Sequence, residues 1–167
     1  MKIWIHFLRD SFLDKLNILT LDVETTHKEK LGGGTTALPH FGNRLVSVGW
    51  KWLLNQDVNY EFFYHKDKDT WYNSETVNRI QNDLDKTDVL IGQNIKFDIM
   101  WLRACGFKYD GVIYDTMVAE YLRSKGRRWS LALDALAKRY NVTQKETDLV
   151  TPYLKEGKTF FDIPAEI

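Results

Sequence analysis

The sequence predicts an α/β protein built on a mixed sheet, and three observations carry that prediction. Strand-like runs come first, at residues 17–26, 44–53 and 58–64, and helix-like and strand-like segments then alternate to residue 140. The short Asn55-Gln56-Asp57 connection joins two of the runs as an antiparallel hairpin, so the sheet is not wholly parallel. At 167 residues, 44% hydrophobic and 28% charged, the chain has the size and composition of one globular domain with a single substantial core.

Residues 1–16 precede the first strand as an N-terminal extension, readable as an added strand or a short helix, and residues 17–167 form the domain. In the first strand, Ile18, Leu19, Leu21 and Val23 make a near-continuous apolar run, which predicts a strand covered on both faces. His27 to Asn43 is a long loop holding Gly32, Gly33, Gly34 and Pro39. Arg44 to Leu53 and Val58 to Tyr64 are the hairpin strands. A helix runs from Ser74, its predicted N-cap, to about Lys86, with Val77, Ile80 and Leu84 at helical spacing. Val89 to Gly92 is a short buried strand, and Ile95 to Ala104 a helix ended by Gly106. Val112 to Tyr114 is a further strand, followed by a helix from Thr116 to Arg123. Ser130 is the predicted cap of a last helix to Tyr140, with Leu131, Leu133, Leu136 and Ala137 inward. Trp50, Trp52, Trp71 and Trp101 read as core residues.

Lysine and arginine balance aspartate and glutamate at 23 each, which excludes a protein held to nucleic acid by bulk charge alone. It leaves room for an acidic metal site beside a local basic patch. The single cysteine, Cys105, excludes an internal disulfide and a thiolate zinc cage and fits a reducing, intracellular setting. No apolar run approaches the roughly 20 residues of a membrane span. The run Ile3 to Leu8 is short, meets Arg9 and Asp10, and lacks a cleavage site, so no secretion signal is expected.

Chemistry enters at the end of the first strand. Asp22 and Glu24 are two residues apart, so pleating sends both side chains to one face. Two anions at the mouth of an apolar strand repel each other and resist desolvation unless a cation lies between them. A hard divalent ion, Mg²⁺ or Mn²⁺, suits such oxygens. The plain alternative is a strand end turning into solvent. The second stretch is Gly92-Gln93-Asn94-Ile95-Lys96-Phe97-Asp98, where a strand gives way to a helix and Asn94 and Asp98 fall on one helical face. Sites in α/β sheets form where strand ends meet neighbouring helices, so Asp98 can approach Asp22 and Glu24. Here the alternative is that Asn94 caps the helix and Asp98 is a solvated first-turn acid.

Together, Leu21-Asp22-Val23-Glu24-Thr25-Thr26 and Gly92 to Asp98 resemble the proofreading 3′–5′ exonucleases of the DEDD superfamily. The likeness is to the ribonuclease H-like exonuclease domain of A-family, phage-type DNA polymerases in particular. Tyr114 to Leu122 and Ser130 to Ala137 match further segments of that family, in order and spacing. The resemblance implies a ribonuclease H-like mixed sheet flanked by helices and two-metal hydrolysis of single-stranded DNA from its 3′ end, with Mg²⁺ or Mn²⁺. It implies that Asp22 bridges both metals, that Glu24 binds one near the terminal 3′ hydroxyl, and that Asp98 holds the other through water. Asn94 then orients Asp98 or the substrate backbone, and Thr25 and Thr26 contact DNA. Asp115 reads as an anchor of its helix rather than a ligand. The implied setting is the cytoplasm of a bacterium or phage-infected cell.

The family's fourth acid, in a Tyr-x-x-x-Asp or His-x-x-x-x-Asp pattern, is not found. None of the eight tyrosines has an aspartate four residues on, and all four histidines precede Asn94. Asp148 and Asp162 are the only aspartates after the helix that ends at Tyr140, in poorly patterned sequence. The expectation is therefore a domain truncated before its last catalytic helix. The remainder of a DNA polymerase, in cis or as a split partner chain, would complete its site. Two alternatives stay open: a catalytically silent DNA-binding or polymerase-docking domain of the same fold, and a ribonuclease D-like exonuclease acting on RNA. Arg127, Arg128 and Trp129, in an interhelical loop with Arg123 and Lys125, are candidate DNA contacts through phosphate binding and base stacking. A solvated turn with Trp129 over the core is the competing reading.

Overall fold

The computed structural model describes residues 15–29, 35–68, 73–142 and 149–167. Residues 1–14, the glycines at 32–34, Trp71 and Asp148 lie outside them, so the readings made there have no structural counterpart. The elements are β1 (Ile18–Thr25), β2 (Lys28–Glu29), β3 (Thr35–Thr36), β4 (Leu45–Trp52), β5 (Asn59–Phe62), α1 (Ser74–Asp85) and β6 (Val89–Gly92). They continue with α2 (Lys96–Ala104), β7 (Val112–Asp115), α3 (Thr116–Arg123), α4 (Leu133–Tyr140) and α5 (Thr151–Lys155).

The main sheet has five strands in the order β5-β4-β1-β6-β7. β4 and β5 run antiparallel to their neighbours, whereas β6 and β7 run parallel to β1 and to each other. The predicted mixed α/β sheet is thus observed. Leu19, Leu21 and Val23 of β1 share one face with Val48 and Trp50 of β4, and α1 and α2 close over it with Ile80, Leu84, Ile99 and Leu102. Burying an aliphatic side chain of this kind stabilises the fold by about 1.5–3 kcal/mol. Trp50 keeps its indole N–H satisfied by donating to Asp83 at 2.8 Å, and Trp101 donates to the Ala37 carbonyl at 3.0 Å. Trp52 packs half-buried against the same core.

Among the described residues, β1 is fully buried on one face and only partly covered on the other. Buried residues alternate along it, and Thr20, Asp22 and Glu24 point the other way with Asp22 exposed. The apolar run misled because Ile18 and Leu19 belong to opposite faces of the pleat. Opposite the core, the segment after α5 turns back on the β5 end of the sheet. His65 donates from Nε2 to the Ile163 carbonyl at 2.6 Å, Lys66 bonds the Asp162 carbonyl, and Tyr64 stacks on Phe161 at 4.5 Å. The His65 tautomer follows from Nδ1, which accepts the Asp67 N–H at 3.1 Å.

Several boundaries move. Asn73, not Ser74, caps α1, since its side chain accepts the Glu75 N–H at 2.9 Å. Both residue types cap well, so sequence could not choose between neighbours. α4 starts at Leu133 rather than after Ser130, whose hydroxyl accepts the Ala132 N–H at 3.4 Å in a turn before the helix. That later start rotates Leu133 outward, to 51% exposure, while Leu136 and Ala137 stay buried. α2 begins one residue after Ile95, and β5 spans Asn59–Phe62 only.

Candidate active site

β1 outruns its parallel neighbour. Its register with β6 pairs Ile18 to Thr20 only, so beyond Thr20 the β6 side of β1 has backbone donors without a strand partner. Asp98, on the first turn of α2, fills that gap: its Oδ1 accepts the Val23 N–H at 2.9 Å. The carboxylate is 3% exposed. Burial, first, and the nearby charge of Asp22, second, push it up to about 7, although the Val23 N–H works the other way. Asp98 is therefore not the solvated first-turn acid of the plain reading.

On the open face, Asp22 and Glu24 line a cavity of about 370 Å³ with Tyr60, Phe62, His65, Ile163 and Pro164. Register explains the neighbours. Asp22 pairs with Gly49 and Gly49 with Tyr60, while Glu24 pairs with Ser47 and Ser47 with Phe62. Immediately after Glu24 the register slips, leaving Val46 as the extra residue of a bulge that ends the regular pairing beside the carboxylates. The half-exposed Tyr60 reaches over Gly49, where an added Cβ would meet its ring at 3.2 Å, and its hydroxyl bonds the Ser47 hydroxyl at 2.5 Å. Burial raises the Tyr60 phenol above its usual range; the Ser47 bond opposes this, and the charges of Glu24 and Asp22 add to it. Ser47, Tyr60 and His65 were missed by sequence reading. The turn at Asn55-Gln56-Asp57 fixes the β4–β5 register, but nothing local sets β4 against β1.

Asn94 is exposed in a left-handed turn, φ 55°, and its backbone N–H donates to Asp115 at 3.0 Å. Asp115 caps α3, also accepting the N–H groups of Met117 at 2.9 Å and Val118 at 3.3 Å, which is the anchoring role read from the sequence. Thr25 is buried, and the Thr26 hydroxyl accepts the Arg44 N–H at 2.9 Å while facing Asn43. Asp162 is taken up by the Thr159 N–H at 2.8 Å and hydroxyl at 3.0 Å. Arg127, Arg128 and Trp129 are exposed on the loop between α3 and α4, so Trp129 does not cover the core. The guanidinium groups of Arg127 and Arg139 lie 5.1 and 4.8 Å from its ring centroid. Arg139 is held by the buried Glu120 at 2.6 Å, which also binds Arg123 and the Tyr140 hydroxyl. These donors, the Tyr140 hydroxyl first, hold Glu120 below the usual carboxylate range.

Among the described residues, no group of three His, Cys, Asp or Glu side chains is close enough to hold a metal ion. The donor chemistry nevertheless fits a hard cation. A buried carboxyl raised by a second carboxylate gains from either a proton or a positive ion beside it. Also among the described residues, no helix is long and apolar enough to cross a membrane.

No curated protein matches the chain. A solved structure described as the yeast NOT1 MIF4G domain co-crystallized with CAF1 is similar in fold, with a TM-score of 0.52 at 10% identity. The likeness covers 87% of this chain and 77% of that one. A family model described as 3′–5′ exonuclease matches residues 55–153, which include Asp98, and the sheet places Asp22 and Glu24 beside that segment. The fold is the ribonuclease H-like one of that domain, and the chain belongs to the 3′–5′ exonuclease family.

Proposed function

We propose that the chain is a metal-dependent, proofreading-type 3′–5′ exonuclease domain of a DNA polymerase, hydrolysing single-stranded DNA. The observation that carries this reading is Asp98, buried against the end of β1 and raised to about 7 by burial and by Asp22. A carboxyl stays in such a place at a cost to the fold, and a role in holding cations accounts for it. Asp22, Glu24 and Asp98, together with a further carboxylate, would hold two divalent ions, Mg²⁺ or Mn²⁺. Such ions, when bound, activate water and neutralise charge on the attacking and leaving oxygens of a phosphodiester. The chain's own part is positional. The Val23 N–H fixes Asp98, the pleat aims Asp22 and Glu24 into one cavity, and that cavity is where a strand end can enter. The exposed Arg127, Arg128 and Trp129 contact the single strand beyond the site.

One observation favours a second reading, a silent DNA-binding or polymerase-docking domain: the three carboxylates do not close into a metal cage among the described residues. The proposal accommodates it by a further carboxylate from another segment, in cis or on a partner chain. Calorimetry with Mn²⁺ on the chain and on Asp22→Ala, beside hydrolysis of 3′-labelled deoxy- and ribo-oligonucleotides, separates the readings. The expected result is Asp22-dependent Mn²⁺ binding with cleavage of the deoxy strand. Binding that ignores Asp22 would overturn the metal site. Faster cleavage of the ribo strand would replace DNA by RNA as the substrate.

A further inference from the structure

We propose that the hydroxyls of Ser47 and Tyr60 act as one positioning device for Glu24, donating a single directed hydrogen bond into the carboxylate cavity. The inference rests on the metal-dependent reading above and adds to it residues outside the acidic set.

The argument begins with proton counting. Each hydroxyl carries one proton. One of the two is spent on the bond that joins Ser47 and Tyr60. The other remains, and whichever oxygen keeps it must find an acceptor. Ser47 is fully buried at 0% exposure, so its oxygen has no access to bulk water. Its neighbour across the ladder, on the same face, is Glu24. Side chains directly opposite in an antiparallel pair have Cβ atoms about 4.5–5.5 Å apart, within reach of a carboxylate. Tyr60 lines the same cavity as Glu24 and Asp22. When Tyr60 donates to Ser47, the outgoing proton sits on the buried serine and Glu24 is the acceptor across the ladder; when Ser47 donates, the phenol, 47% exposed, faces both the carboxylate cavity and water. The first arrangement, with the more acidic hydroxyl donating, is the one that positions Glu24.

The backbone is arranged to aim this pair. Tyr60 and Ser47 are diagonal neighbours, and only a long side chain crosses that gap. It crosses because position 49 is glycine: any Cβ there would press on the Tyr60 ring at 3.2 Å. Phe62 meets the ring edge-on, with centroids 5.0 Å apart. The ring thus rests against Gly49 and Phe62 with its hydroxyl bonded to that of Ser47. A tyrosine kept merely for packing would need neither the glycine nor the serine.

Calorimetric Mn²⁺ binding tests this with Tyr60→Phe, Ser47→Ala and the pair together, each repeated in a Glu24→Gln background. Tyr60→Phe keeps the ring and removes the oxygen, and thermal melting checks that each variant is folded. Groups that orient metal-binding side chains typically change affinity by about 10–100-fold. The expected result is about tenfold weaker binding for either single variant, no further loss for the pair, and no loss where Glu24 is already Gln. Unchanged affinity in folded Tyr60→Phe, or an equal loss in both backgrounds, overturns the inference while leaving the metal site standing. Absence of any Asp22-dependent binding in the unsubstituted chain overturns the metal site itself and this inference with it. Cleavage rates give a second readout: kcat falls with the KM for single strands unchanged if the pair acts through Glu24, whereas a rise in KM alone overturns it.

Discussion

Asp98 is the residue at which folding and function pull apart. Its carboxyl is buried, hydrogen-bonded by the Val23 N–H, and raised from 3.8 to about 7. An acid raised in the fold is favoured as the neutral form, so the unfolded chain releases the proton first. The contribution of Asp98 to stability is therefore most favourable below about pH 4, falls between about 4 and 7, and its loss is complete above 7. The shift corresponds to on the order of 2–4 kcal/mol. Asp98→Asn keeps an oxygen for Val23 and removes the charge. It is expected to stabilise the metal-free chain by that amount at pH 8, to change nothing near pH 4, and to abolish Mn²⁺ binding; urea unfolding at both pH values checks the first two. The place of Asp98 on the first turn of α2 was legible in the sequence, but its shared helical face with Asn94 was not borne out, because Asn94 lies before the helix in a left-handed turn. The bond of Asp98 to Val23 was not legible, because that bond exists only where β1 outruns β6.

Elements meet at the site through their ends, and Asp115 joins three of them. One carboxylate oxygen takes the Met117 and Val118 N–H groups at the start of α3 and the Asn94 N–H in the turn between β6 and α2. Thr116 adds a bond to the Gly92 carbonyl at 3.2 Å, and Gln93 reaches across to the Leu131 carbonyl at 2.7 Å. Losing an N-cap costs about 0.5–2 kcal/mol, and Asp115→Ala also releases the exposed Asn94 N–H to water and unties the turn from α3. A loss of about 2 kcal/mol in urea unfolding is expected, with Mn²⁺ affinity preserved; a loss of binding equal to that of Asp22→Ala would instead make Asp115 a ligand. Cap positions were partly legible: Asp115 follows a strand and precedes a helix, which is a complete local signal. Ser130 failed as a cap because Ala132, with no side-chain bond of its own, starts the helix two residues later.

At the scale of the whole molecule, zero net charge hides a division of labour. The carboxylates gather where β1 ends, and exposed arginines gather on the loop between α3 and α4. That the strand–helix unit carrying Asp98 approaches the Asp22 strand was legible from where sites form in α/β sheets, but the strand order that brings them together was not read from the sequence. Nor was the pairing of β4 beside β1, because a hairpin fixes its own register and not its neighbour's. The basic loop is stiffened from beneath: Glu120 orients Arg139, and Arg139 and Arg127 both lie over Trp129. An indole with two guanidinium groups over it offers less ring face to a stacked base, so the loop's contribution to single-strand binding is expected to be mainly ionic. For single strands, each phosphate neutralised contributes about 0.7 to the slope of log affinity against log salt. Arg127→Ala with Arg128→Ala should therefore flatten that slope by about 1.4 if each arginine neutralises one phosphate, with little effect on Mn²⁺ binding. Trp129→Leu should weaken binding less than the arginine pair does. Titration of a fluorescent single strand at several salt concentrations measures both. An unchanged slope in the arginine variant would move the path of the strand away from this loop, and a larger loss from Trp129→Leu would make stacking, not charge, the loop's main contact.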